Sequence, residues 1–153
     1  MALSVEAPPV PAHTGTCPAT WPIGAVDYLV YCAAATDHDE AGYRAAYIQG
    51  LRHVLEWLGD YGQVPNRLLF VSSSSVYGQQ EGEWVDESSP TVAAGYSGRV
   101  MLEAEQVARD SGIPTSIVRL TGIYGPGREW LLTQVRRGYR VAIDPPLYAN
   151  RIH

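Results

Sequence analysis

Lysine is absent from this 153-residue sequence, and all 11 of its basic residues are arginines. Arginine keeps its proton in proteins, so a reaction that needs a lysine amine cannot be performed by this chain alone. Cysteine is nearly absent too, and Cys17 and Cys32 are too few for a disulfide framework. Because Cys32 lies in an apolar stretch, we expect it to be a small buried hydrophobic residue.

The absence of several other sequence features excludes further classes of protein. No apolar run approaches the length of a membrane span, and the N-terminus lacks the basic and apolar regions of a secretory signal. The net charge is -5 without a basic stripe, and the four histidines are scattered. We therefore expect a cytoplasmic globular protein with no membrane or nucleic-acid partner and no metal site.

The chain divides into two parts by composition. Residues 1–24 contain five prolines and are predicted to be an irregular N-terminal segment, whereas residues 25–153 alternate apolar runs with helical patterns. Strands are predicted to start near residues 27, 67 and 115, a short strand to span 140–143, and helices to span 41–59, 97–111 and 129–137. Strands alternating with helices predict an α/β fold with neighbouring parallel strands, and we expect the two long helices on one face of the sheet.

Four consecutive serines, Ser72 to Ser75, follow the apolar run at residues 68–71. Four adjacent hydroxyls cannot all find partners in a dry core. At the carboxyl end of a parallel strand they would lie where α/β proteins bind ligands. The alternative is a polar strand end that only caps the next segment.

Four blocks in order resemble the NAD-dependent epimerase/dehydratase family, the extended and atypical short-chain dehydrogenases/reductases. They are DYLVYCAAA, YRAAYIQGLRHVLEWL, FVSSSSVYG and IVRLTGIYGPG, and the terminal NRIH is similar to the start of a later family motif. The resemblance implies a partial Rossmann-like, doubly wound parallel sheet over residues 25–153. It also implies NAD or NADP as cofactor, with Ala33, Ala34, Leu120 and Gly122 lining the cofactor edge.

The chain departs from this family at the cofactor phosphates. The family's glycine-rich turn, whose backbone N–H groups hold the pyrophosphate at a helix N-terminus, has no counterpart near the start of this sequence. We therefore interpret the chain as the middle of a longer protein, a fragment that binds dinucleotides weakly or not at all by itself.

The family's catalytic serine, tyrosine and lysine are matched only in part. The serine corresponds to Ser73, or to Ser74 if the register shifts by one, and the tyrosine corresponds to Tyr96. Four residues after Tyr96 stands Val100, not lysine.

The helix can also be aligned with the family by its AEQ letters at residues 104–106. In that alignment Ser97 stands at the tyrosine position and Met101 at the lysine position. Arg99 shares a helical face with Tyr96 and could lower a phenol pKa by its charge, but it could not relay a proton.

Three interpretations remain open at this point. The resemblance implies an NAD(P)-binding protein acting on a nucleotide sugar or a similar small polar metabolite, atypical or catalytically impaired. The alternative is a non-catalytic binding or sensing domain, or an inactive truncated product. The resemblance further implies a homodimer through helices 41–59 and 97–111, with Tyr43, Tyr47 and Met101 as candidates for an exposed apolar patch.

Overall fold

The computed structural model describes residues 25–140 and 151–152. Its main sheet has three parallel strands in the order β1-β2-β3, namely β1 (Tyr28–Tyr31), β2 (Arg67–Ser73) and β3 (Thr115–Leu120). The prediction of three neighbouring parallel strands is confirmed. A second, two-stranded parallel sheet joins β4 (Gly122–Ile123) to β5 (Arg151–Ile152).

One long helical stretch connects β1 to β2. It consists of α1 (Glu40–Tyr43), a π-helical segment (Arg44–Gln49) and α2 (Gly50–Asp60). The Asp39 carboxylate caps its start by accepting a hydrogen bond from the Gly42 N–H at 2.7 Å. Its end is closed by Gly62, whose φ of 61° suits a residue without a side chain.

Helices α3 (Tyr96–Arg109), before β3, and α4 (Trp130–Arg136), after β4, follow the predicted order. The 3-10 turn (Ser74–Val76) that follows β2, and β4 itself, were not predicted. Among the described residues no helix is both long and apolar enough to cross a bilayer. The predicted strand at 140–143 and the irregular segment at 1–24 lie outside the described residues.

The core lies on one face of the sheet, between β2 and the two long helices. Side chains alternate along β2, so that Leu68 and Phe70 are buried on the side that the helices cover. They join the same buried cluster as residues from both helices, namely Ile48, Leu51, Val100, Met101, Ala104 and Ala108. The prediction that both helices share one face is thereby confirmed.

Two burial predictions are wrong. Cys32 is exposed, because it continues the exposed face of β1, opposite to the face that packs against the core. Met101 is 3 % exposed and packs in the core, so it is not part of an exposed patch. Tyr43 and Tyr47 pack half-buried against that core, with their ring centroids 5.2 Å apart.

Candidate functional site at the carboxyl ends of the strands

The carboxyl ends of β1, β2 and β3 meet at one edge of the sheet because the three strands are parallel. Ala33 and Ala34 follow β1 at this edge, the serines end β2, and Leu120 ends β3. Leu120 is the register partner of Ser73, so the structure brings these two predicted site residues together. Parallel α/β sheets bind their ligands at this edge.

Ser73 holds a fixed position at the end of β2. Its hydroxyl oxygen accepts a hydrogen bond from the Ser75 N–H at 3.2 Å and so caps the 3-10 turn. Val76, at the end of the turn, is fully buried. Because a strand precedes the serine and an anchored turn follows it, Ser73 has little freedom to move.

Helix α3 begins against this serine turn. Gly98 lies so close to the Ser75 carbonyl oxygen that an added methyl group would overlap it. Two residues earlier, the Tyr96 hydroxyl donates a hydrogen bond to the His38 carbonyl oxygen at 2.7 Å. The Tyr96 ring also meets the Tyr43 ring edge-on at 5.5 Å between centroids. The structure thus places Tyr96 at the helix end that contacts the serine turn, with its hydroxyl engaged by the loop after β1.

Neither candidate lysine position is available for chemistry. Val100 is fully buried and Met101 is nearly so, both in the hydrophobic core. Arg99 is exposed and donates to the Ala94 carbonyl oxygen at 3.4 Å. In either register, an apolar core residue occupies the position where the family has its lysine.

The proposed cofactor-edge residues are spread along the same edge. Ala33 is partly buried and Ala34 is exposed, while Gly122 pairs with Arg151 in the small second sheet. Tyr47 lies beside the loop after β1, where burial raises the pKa of its hydroxyl and a hydrogen bond with the Ala35 backbone opposes that rise. These residues offer small or apolar surfaces, and none of them has a charged side chain.

A buried charge cluster next to the serines was not predicted from the sequence. The Glu105 side chain, on α3, is fully buried and receives hydrogen bonds from Ser72 at 2.7 Å and from Arg119 at 2.9 and 2.8 Å. Arg109, one helical turn later, adds a contact at 3.1 Å. A sequence signal existed in the i, i+4 spacing of Glu105 and Arg109, but only pairing of β2 with β3 brings Ser72 beside Arg119.

The ionised form of Glu105 is stabilised by these partners. Burial by itself would raise the pKa of this carboxyl group, but the hydrogen bonds from Arg119 and Ser72 and the charges of Arg119 and Arg109 outweigh it. The net pKa lies below the ordinary value. The pKa of Arg119 is raised, chiefly by its hydrogen bonds to Glu105. The pair is therefore charged across the physiological pH range.

Arg119 links this cluster to Tyr77. Its third nitrogen donates to the Tyr77 hydroxyl at 2.9 Å, and its guanidinium lies 5.2 Å from the centre of the Tyr77 ring. The same hydroxyl donates to the Asp86 carbonyl oxygen at 2.9 Å. Tyr77 and Arg119 help to line a cavity of about 710 Å³ whose wall also includes Ser74 and Thr121.

Comparison with known proteins identifies related sequences and structures. The sequence model described as the NAD dependent epimerase/dehydratase family matches residues 22–142. Protein YeeZ of Escherichia coli strain K12 is 43 % identical over 63 residues, which cover 40 % of this chain and 23 % of YeeZ. The family model matches more than half of the chain, which establishes the family.

Solved structures share the fold. A Methylobacillus flagellatus protein assigned to the NAD-dependent epimerases/dehydratases superposes with a TM-score of 0.61 at 36 % identity, over 83 % of this chain and 43 % of that one. UDP-glucuronic acid 4-epimerase from Bacillus cereus, solved in complex with NAD, gives a TM-score of 0.59 at 24 % identity, over 72 % of this chain and 39 % of that one. The Rossmann-like fold is thus confirmed. The chain spans less than half the length of each of these relatives.

Proposed function

From the membership of this chain in the NAD-dependent epimerase/dehydratase family, we propose that it is part of a protein that binds NAD(P) and acts on a nucleotide sugar or a similar small polar metabolite. The observation that carries the proposal is the serine turn at the carboxyl end of β2, with Ser73 beside Leu120. The Bacillus cereus relative is a UDP-glucuronic acid 4-epimerase, and the substrate class is extended to this chain by that analogy.

The residues present fit one edge of such a cofactor. Ala33 and Ala34 are small, Gly122 has no side chain, Leu120 is apolar, and all four lie at the sheet edge where α/β proteins bind dinucleotides. When bound, a nicotinamide cofactor supplies hydride transfer. The contribution of this chain at this edge is apolar and backbone contact, because the given sequence has no glycine-rich turn for the pyrophosphate.

In this proposal Ser73 donates a hydrogen bond to the reacting oxygen of the substrate. A hydroxyl on an anchored strand end can be held within hydrogen-bond reach of a substrate atom, as general acid–base help requires. Tyr96 is the candidate proton donor. Without a lysine the chain cannot acidify that phenol in the family's usual way, so the proposed protein is atypical or catalytically impaired.

The second candidate is a binding or sensing domain that keeps the scaffold without the chemistry. The apolar burial of Val100 and Met101 favours it, since both lysine registers are filled by core residues. In a sensing domain the strand edge would still bind a nucleotide sugar or dinucleotide, but no product would form.

Turnover assays on the full-length natural protein distinguish the two candidates. We expect NAD-dependent conversion of at least one member of a panel of UDP-sugars, at a rate that falls when Ser73 is replaced by alanine. A Ser116→Ala variant is the matched control, because Ser116 lies near the amino end of β3, opposite to the carboxyl edge, and its hydroxyl accepts a hydrogen bond from Arg67. Saturable binding of a UDP-sugar without any product would favour the sensing domain instead.

A further inference from the structure

The six-residue segment Ser72–Tyr77, which carries Ser73, is anchored at both of its ends by one ion pair. At its first residue, the Ser72 hydroxyl donates to Glu105 at 2.7 Å. At its last residue, the Tyr77 hydroxyl accepts from Arg119 at 2.9 Å. Glu105 and Arg119 bind each other through two hydrogen bonds, so both anchors depend on the same pair of charges.

The planar guanidinium of Arg119 is the part of this arrangement that cannot be exchanged for another cation. Two of its nitrogens bind the Glu105 carboxylate and the third binds Tyr77. A lysine ammonium would carry the same charge but not this fork of fixed donors. Glu105 is in turn fully buried, so its orientation is set by these partners and not by water.

We propose that Glu105 and Arg119 are positioning residues that act as a clamp on the segment Ser72–Tyr77 and thereby set where the Ser73 hydroxyl points. This inference rests on the proposed function, since the clamp matters for chemistry only if Ser73 contacts the substrate. The clamp itself can be measured without any substrate, so its failure is distinguishable from the failure of the proposed function.

The clamp also extends to the loop after the turn. Tyr77 donates to the carbonyl oxygen of Asp86, and the Asp86 carboxylate organises that loop by accepting hydrogen bonds from Ser88 and Ser89. Removal of the Tyr77 hydroxyl should therefore loosen both the serine turn and this loop. The ring of Tyr77 can still pack under the guanidinium when only its oxygen is removed.

Amide hydrogen exchange on the chain itself provides the first test. The reporters are the amides at positions 75 and 77, which donate to the Ser73 hydroxyl and to the Ser74 carbonyl oxygen. Tyr77→Phe and Glu105→Gln should each raise their exchange rates by about tenfold or more, the effect expected from losing a hydrogen bond to a charged partner. Amides in the middle of β2 should keep the wild-type rates in Tyr77→Phe.

Two matched variants control for unspecific effects. Glu103→Gln removes a carboxylate from the same helix, where Glu103 forms an exposed pair with Arg44 at 2.8 Å. Tyr61→Phe removes a phenol oxygen from an exposed tyrosine at the end of α2. Both should leave the amides at positions 75 and 77 unchanged. Unchanged exchange at these two amides in a folded Tyr77→Phe protein would overturn the clamp.

A kinetic double-mutant cycle on the full-length protein provides the second test. Tyr77→Phe should lower kcat by about tenfold with KM nearly constant, and it should have almost no further effect when Ser73 is already alanine. An equal loss in both backgrounds would show that Tyr77 does not act through Ser73 and would refute the positioning role. If the wild-type protein shows no turnover, the proposed function fails and the exchange experiment alone decides on the clamp.

Discussion

At the scale of single residues, Ser73 and Tyr96 differ in the surroundings of their hydroxyl groups. Ser73 ends a strand and caps a turn, whereas the Tyr96 hydroxyl donates to the His38 carbonyl oxygen and has no lysine beside it. We expect Ser73→Ala to lower kcat/KM of the full-length protein by roughly 10²-fold or more, and Tyr96→Phe to lower it less. The measurement is kcat/KM for both variants from about pH 6 to about pH 10.

The opposite ranking of these two variants would overturn the assignment. An inactive Tyr96→Phe protein with an active Ser73→Ala counterpart would mean that the phenol performs the essential proton transfer. Because the chain has no lysine, a group such as Arg99 or a residue of another chain would then have to supply the charge.

Glu105 should make the stability of the chain depend on pH on the acid side. Its pKa is lowered in the folded state, so the folded form releases this proton more readily than the unfolded form. The stabilisation is present above the unfolded value near 4.5 and is lost as the pH falls through the lower folded value. Urea unfolding at a series of acid pH values should therefore show stability falling in that window.

Substitution of this carboxyl group should remove much of that pH dependence. Glu105→Gln should flatten the acid-side slope and destabilise the chain by about 3 kcal/mol at neutral pH, because Arg119 and Arg109 lose their buried partner. Glu103→Gln, on the exposed side of the same helix, should retain the slope. If Glu105→Gln titrates like the wild-type chain, the acid sensitivity belongs to other carboxyl groups.

At the scale of elements, the contact between α3 and the serine turn depends on a missing side chain. A Cβ atom at Gly98 would overlap the Ser75 carbonyl oxygen, which belongs to the backbone and cannot rotate away. We expect Gly98→Ala to destabilise the chain by about 1–3 kcal/mol, as overpacking does, although alanine is the better helix former. Denaturant unfolding measures the difference.

Gly59 supplies the matched control for this prediction. It lies in α2, and a Cβ atom built there meets no atom within 4 Å. Gly59→Ala should therefore stabilise the chain by up to about 1 kcal/mol through helix propensity alone. A stabilising Gly98→Ala would show that the turn and the helix can separate, and the packing argument would be wrong.

At the scale of the whole molecule, we expect the chain to provide only part of a dinucleotide site. We expect apolar and backbone contacts from Ala33, Ala34, Leu120 and Gly122. The given sequence has no glycine-rich turn whose backbone N–H groups could donate the charge-assisted hydrogen bonds that hold a pyrophosphate. We expect calorimetry of this chain with NADH and NADPH to give weak or undetectable binding. Micromolar affinity for either one would contradict this and would indicate a different phosphate site.

The association state is a separate prediction. Family resemblance implies a homodimer through helices 41–59 and 97–111, although Met101 is buried and Tyr43 and Tyr47 are half-buried. If the dimer forms, its surface must come from the outward side of the helices, where the Arg44–Glu103 pair lies. Sedimentation velocity over a range of concentrations should show a dimer. A clean monomer at high concentration would count against it.

The order and type of the main elements could be predicted from the sequence alone. Apolar runs bounded by proline and glycine indicated the three strands, and β3 was placed over the observed residues because Gly112 and Pro114 mark its start. The same local information predicted that the serines end the strand. The alternative given with it, a polar strand end that caps the next segment, describes the Ser73 hydroxyl, which caps the 3-10 turn.

Burial and long-range pairing were decided only by the tertiary structure. Cys32 was predicted to be buried because its neighbours are apolar, but it continues the face of β1 that no described helix covers. In the sequence, Glu105 is one polar residue of an amphipathic helix, but in the structure its side chain is fully buried. Its partners Ser72 and Arg119 are 33 and 14 residues away in the sequence. The pairing register of β2 with β3 places Ser72 and Arg119 next to each other. Local pattern thus determined the main strands and helices and the place of the serines at the end of β2. Non-local contacts determined which side chains hold the serine turn in place, because a charge is buried only where distant residues supply its partners.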